Sequence, residues 1–126
     1  MKNIFSHRGL PRAYAENTFT GINKSYEYVD FAEVDVRITK DNALILHHDP
    51  NIGDININEV SYEELSNLLQ QLDIEEIAIK NRSQFSGKVN FEIKTDSLNQ
   101  HKKIYCFKKC YQFLTTKTLL VRLIGR

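Results

Sequence analysis

Apolar residues along this chain switch between two spacings. From Phe31 to Thr39 they alternate with polar ones, Ala32, Val34, Val36 and Ile38 on one side and Glu33, Asp35 and Arg37 on the other, which is the period of a strand. Residues 88–94 repeat the design, with Val89, Phe91 and Ile93 against Asn90, Glu92 and Lys94. Shorter or more uniformly apolar runs predict further strands over 2–6, 43–47 and 118–124. Helical spacing fills the gaps. Thr18 is an N-cap before Phe19, Ile22, Tyr26 and Val29, and Ser61 with Glu64 forms a capping-box pattern before Leu65, Leu68, Leu69 and Leu72. A second helical stretch is expected from Ile74 into the eighties, and another over 98–114. The order is strand, helix, strand, strand, helix, strand, helix, strand, which predicts one α/β domain built on a sheet or barrel. The one irregularity is the pair 31–39 and 43–47, with no helix between them.

Composition changes this picture in one respect. The 126 residues, 41% hydrophobic and 26% charged, suit a folded domain with an ordinary core. Net charge is +1, yet it divides into −6 over 1–96 and +7 over 97–126. A basic tail of this kind can meet nucleic acid or a membrane surface, but it has no Gly-rich loop and no Arg cluster, and Tyr105, Phe107, Tyr111 and Phe113 suit a helix packing face. No nucleic-acid partner is expected. Cys106 and Cys110, one helical turn apart with no zinc-type spacing around them, read as buried thiols. No apolar run reaches the roughly 18–20 residues of a membrane span, and the N-terminus lacks a signal-like stretch, so a cytoplasmic location is the expectation.

The polar faces of the two strands carry the candidate chemistry. Glu33 and Asp35, at i and i+2, bring two carboxylates close enough to repel unless solvent, a basic partner or a cation offsets them. Hard oxygen ligands suit Mg²⁺ or Ca²⁺, and Glu92 on the second strand can complete such a site. Lys94, on the same face, would stand near an anion bound there. A solvated edge strand explains either segment taken alone; the two together favour a site. His7 and His48 lie just past two predicted strand ends, where barrel enzymes gather catalytic groups, and a matched pair of imidazoles can act as base and acid. His47 and His101 read as surface or loop residues.

The segments His7-Arg8-Gly9, Glu16-Asn17-Thr18, Glu33-Val34-Asp35, Thr39-Lys40-Asp41, His48-Asp49 and Glu92-Ile93-Lys94, in this order over about three quarters of the chain, resemble the glycerophosphodiester phosphodiesterase family. The resemblance implies a TIM-type (β/α) barrel that cleaves glycerophosphodiesters to glycerol phosphate and an alcohol, through attack by the substrate's own glycerol hydroxyl and hydrolysis of a cyclic intermediate. It implies His7 and His48 as the catalytic pair and Glu33, Asp35 and Glu92 as ligands of one divalent cation. Arg8 and Lys94 would contact the phosphate, and Glu16 and Asn17 would shape a loop.

A whole (β/α)₈ barrel takes about 250 residues, so only about the first half is expected here, with 1–96 family-like and 97–126 a divergent basic tail. A truncated product would account for both features. An open half-barrel exposes strand edges, 118–124 among them, so the isolated chain is expected to be nearly inactive and to pair or aggregate. Two alternatives stand beside the hydrolase: a catalytically silent remnant or pairing module of the same barrel, and a phospholipase of the same superfamily, against which counts the lack of a membrane-facing apolar lip.

Overall fold

A computed structural model describes residues 5–7, 16–112 and 118–124, the first and last of these as backbone only. Its strands are β1 (Phe5–His7), β2 (Phe31–Ile38), β3 (Leu44–Leu46), β4 (Asn51–Ile52), β5 (Ile55–Asn56), β6 (Ala78–Ile79), β7 (Lys88–Lys94) and β8 (Thr118–Ile124). The helices are α1 (Phe19–Ser25), α2 (Tyr62–Gln71) and α3 (Gln100–Tyr111). Strands β6-β3-β2-β7-β8 lie side by side in one sheet, and β1 pairs with the first half of β2. The pairs β1–β2, β2–β7 and β7–β8 are parallel, as successive strands of a (β/α) barrel must be, whereas β3 runs antiparallel to both β2 and β6. The strand pair without an intervening helix is therefore an antiparallel hairpin added to the parallel series.

Its turn is built from side chains. The Thr39 hydroxyl donates to Asp41 Oδ1 at 2.6 Å and accepts from the Ala43 amide at 2.9 Å, and Asn42 takes the left-handed conformation at φ 71°. Asp41 Oδ1 also accepts the Tyr62 amide at 2.9 Å, which ties the turn to the start of α2. From the other side the Lys102 ammonium of α3 donates to the carbonyls of Thr39 and Lys40. The Thr39-Lys40-Asp41 segment thus joins two helices to one hairpin.

The apolar faces of β2 and β7 form the core. Val34, Val36, Phe91 and Ile93 pack in one cluster with Ile22 of α1, Leu65 and Leu69 of α2, and Cys106 and Cys110 of α3, and the two rings Phe19 and Phe91 flank Phe85 at 5.3 and 5.7 Å. Gly87 is required by a close approach, because a Cβ there would fall 2.4 Å from the Tyr26 ring. The same Tyr26 hydroxyl donates to the Lys88 carbonyl at 2.8 Å and holds the start of β7 against α1.

Two expectations are corrected. Residues from Ile74 into the eighties form no second helix: Ile77, Ala78 and Ile79 are buried, β6 pairs with β3, and a 3₁₀ turn follows at Arg82–Gln84, capped reciprocally by Asn81 and Gln84. The short apolar run Ile77-Ala78-Ile79, bounded by Glu76 and Lys80, has the local pattern of a buried strand, and the sheet edge offered by β3 decides the matter. On α3, the packing face is Cys106 and Cys110, while Tyr105, Phe107 and Tyr111 are exposed. Phe113 lies outside the described residues. The two thiols are buried as expected, and burial raises both, Cys106 to about 11.

Candidate active site

The β2–β7 register sets the site. Asp35 stands opposite Glu92 and Glu33 opposite Asn90, so the polar residues of β2 and β7 share one face of the sheet, while the backbone of His7 pairs with Glu33 along the other edge of β2. Asp35 is wholly buried and Glu92 nearly so. Burial of two carboxylates side by side demands positive charge, and the Lys94 ammonium supplies it, 3.0 Å from Glu92 Oε2 and 3.6 Å from Asp35 Oδ1.

Asp35 is held from behind. The Asn17 side chain donates to Asp35 Oδ2 at 3.0 Å and accepts the Asp35 amide at 3.0 Å, so one amide group grips both the backbone and the carboxylate. Asn17 is buried, takes a left-handed φ of 52°, and directly precedes Thr18, whose hydroxyl accepts the Gly21 amide at 3.1 Å as the N-cap of α1. Its conformation points the side chain under β2, a stronger role than the loop shaping expected from sequence.

His48 reaches this face by an unexpected route. It does follow the end of a strand, but β3 is antiparallel to β2, so strand polarity alone does not bring it to the C-terminal ends of the parallel strands. The His47 amide still donates to the Asp35 carbonyl at 3.1 Å, and the chain then leaves the ladder. Arg37 catches it there, donating from Nη2 and Nε to the His48 carbonyl at 2.6 and 3.1 Å, while Nη1 donates to Asp96 Oδ1 at 2.8 Å. The His48 ring meets Asp49 Oδ1 through Nδ1 at 2.7 Å, which leaves Nε2 uncommitted to Asp49. That hydrogen bond holds the Asp49 carboxyl below its usual range. His47 differs from its neighbour: its Nε2 contacts the Asn51 carbonyl at 3.2 Å, and burial lowers its pKa.

Of the residues singled out in the sequence, Asp35, Glu92 and Lys94 are brought together, and His48 is anchored to the same face through Arg37. Glu33 lies one step further down β2. Among the described residues no group of three or more His, Cys, Asp or Glu side chains is gathered closely enough to hold a metal ion. His7 is placed by its backbone at the register of Glu33, and Arg8 lies outside the described residues. Arg37 was visible in the sequence only as a third polar residue on the face of β2, and its bond to the His48 carbonyl joins positions 11 apart in the chain with no local signal.

A parallel series of strands alternating with helices, with Asp35, Glu92 and Lys94 gathered on one face, defines a partial TIM-type (β/α) barrel. The profile of the Glycerophosphoryl diester phosphodiesterase family matches residues 7–120, and the chain belongs to that family. Over 91 residues it is 32% identical to the human lysophospholipase D GDPD1, a stretch that is 68% of this chain and 28% of that protein. Over 71 residues it is 34% identical to a glycerophosphodiester phosphodiesterase of Bacillus altitudinis, 52% of this chain and 29% of the relative. Among solved structures, a glycerophosphodiester phosphodiesterase from Thermotoga maritima superposes with a TM-score of 0.70 at 20% identity, over 95% of this chain and 54% of that one. Another, from Agrobacterium tumefaciens, gives 0.66 at 19% identity, over 99% and 58%. The chain thus spans little more than half the length of these barrels. No described helix is long and apolar enough to cross a membrane.

Proposed function

We propose that this site cleaves glycerophosphodiesters to glycerol phosphate and an alcohol, with His48 and His7 moving the protons. The observation that carries the reading is the convergence of Asp35, Glu92 and Lys94 on the face where Arg37 anchors His48. Two buried carboxylates already gathered around one cationic group are a donor set that fits a hard divalent ion, Mg²⁺ or Ca²⁺. Asp35 and Glu92 would hold it, with Glu33 as a third ligand from β2. When bound, such an ion supplies positive charge to the phosphoryl oxygens.

The chain's own residues account for the rest. Lys94, with Arg8, is assigned to the phosphate, where its ammonium offsets charge as the pentacoordinate phosphorus forms. With Nδ1 engaged by Asp49, His48 exchanges a proton through Nε2, and His7, across the polar face on β1, serves as the opposite member of the pair. Asn17 fixes the Asp35 carboxylate so that Oδ1 faces the Lys94 side. A lysophospholipid is a glycerophosphodiester that retains one acyl chain, and the human relative's name makes it a second substrate class for the same chemistry.

Assay of released choline with Mg²⁺ or Ca²⁺, on glycerophosphocholine, which leaves glycerol phosphate, and on lysophosphatidylcholine, which leaves lysophosphatidate, tests the proposal. Release that needs the ion and falls at least about a hundredfold in His48→Ala supports it. Release that is independent of the ion, or unchanged in that variant, overturns it.

A further inference from the structure

One side chain joins three parts of the site. Arg37 belongs to β2, its guanidinium is largely buried, and its three nitrogens are committed: two to the His48 carbonyl beyond β3, one to Asp96 beyond β7. The planar fork matters, because two N–H groups of one guanidinium converge on the single His48 carbonyl oxygen and fix its place relative to β2. The rotation left to the His48 side chain is then set by the Nδ1 contact with Asp49. Asp96 lies two residues past Lys94, so the same guanidinium relates the His48 peptide to the strand end that carries the ammonium.

Among the described residues, no backbone–backbone hydrogen bond holds His48 itself. The His47 amide is the last rung to β2, and the next tie, the Ile57 amide to the Pro50 carbonyl at 2.9 Å, comes beyond Asp49. We propose that Arg37 is the positioning residue of the acid/base histidine: it sets where His48 Nε2 stands relative to Lys94 and takes no part in proton transfer itself. This rests on the phosphodiesterase reading for its catalytic consequence, while the anchoring is a property of the fold.

The test uses the full chain and the variants Arg37→Gln, Arg37→Lys and Asp96→Asn, with thermal melts to establish that each folds. Imidazole ¹H–¹⁵N spectra report His48 without any need for turnover. In Arg37→Gln the His48 ring signals broaden or split while those of His101 stay in place; Arg37→Lys, which can reach only one of the two acceptors, gives an intermediate spectrum. Asp96→Asn keeps the two bonds to the His48 carbonyl and changes the spectrum least. In the assay, Arg37→Gln lowers turnover about a hundredfold with KM little changed, the penalty of a misplaced group. The loss disappears when His48 is already Ala, because Arg37 then has nothing to position. A His48 spectrum unaltered in a folded Arg37→Gln chain overturns the proposal, as does a turnover loss that persists in full without His48. If the parent chain releases no glycerol phosphate, the outcome expected of an open half-barrel, the catalytic consequence fails for this chain and the spectra alone decide the anchoring.

Discussion

The two faces of β2 and β7 are made by the same strands in the same register, yet they solve opposite problems. On one face Val34, Val36, Phe91 and Ile93 are excluded from water by all three helices, and nothing there has a partner to find. On the other, Asp35, Arg37, Glu92 and Lys94 are almost as deeply buried, and each must be matched by a named group: Asn17 and Lys94 for Asp35, the His48 carbonyl and Asp96 for Arg37. Apolar burial stabilises through area and tolerates approximate fit, whereas buried charge is stable only when every partner is in place. Fold stability should therefore reside on the first face, and ion binding and chemistry on the second.

The largest effect should come from the apolar face. Phe91→Ala removes a fully buried ring that packs on Phe85 and should cost about 4 kcal/mol of stability, read from urea or thermal unfolding. A loss under about 1 kcal/mol would mean that the helices do not close over this face. Next comes Lys94→Met, which leaves the Asp35 and Glu92 carboxylates facing each other and should cost about 3 kcal/mol. Added Mg²⁺ or Ca²⁺ should restore part of that loss, because a cation bound only by the folded state stabilises it. A melting temperature that stays low at millimolar ion would separate the lysine's structural role from any ion site.

The smallest effect concerns His47, beside Asp35 at the margin of the polar face. Burial lowers its pKa from the ordinary 6.5, so the folded chain binds this proton less readily than the unfolded one. As pH falls below 6.5 the unfolded state gains protons first and stability declines, until the pH passes below the folded-state value. Replacing His47 by Asn should flatten that part of the stability profile, and an unchanged slope would remove His47 as its source.

The apolar face was legible in the sequence because alternation over 31–38 and 88–94 is a local signal, and both strands form where it places them. The capping box at Ser61 was legible for the same reason. What escaped was set by partners distant in sequence. Residues 78–79 form a strand because β3 leaves an edge to pair with, and the packing face of α3 is its cysteines because the sheet lies on that side. On the polar face the residue types were legible, but not their pairing: Arg37 finds the His48 carbonyl 11 positions on, and Asn17 finds Asp35 18 positions on. Neither contact leaves a period to read.

The measurement that bears most directly on the polar face is calorimetric titration of the chain with Ca²⁺ and Mg²⁺, alongside Asp35→Asn, Glu92→Gln and, as the apolar-face control, Val34→Ala. One ion per chain is expected, with affinity reduced at least tenfold in each carboxylate variant and little altered in Val34→Ala. Unchanged affinity in both Asp35→Asn and Glu92→Gln, or no saturable binding to the parent chain, would contradict the assignment of this face as a cation-dependent phosphodiester site.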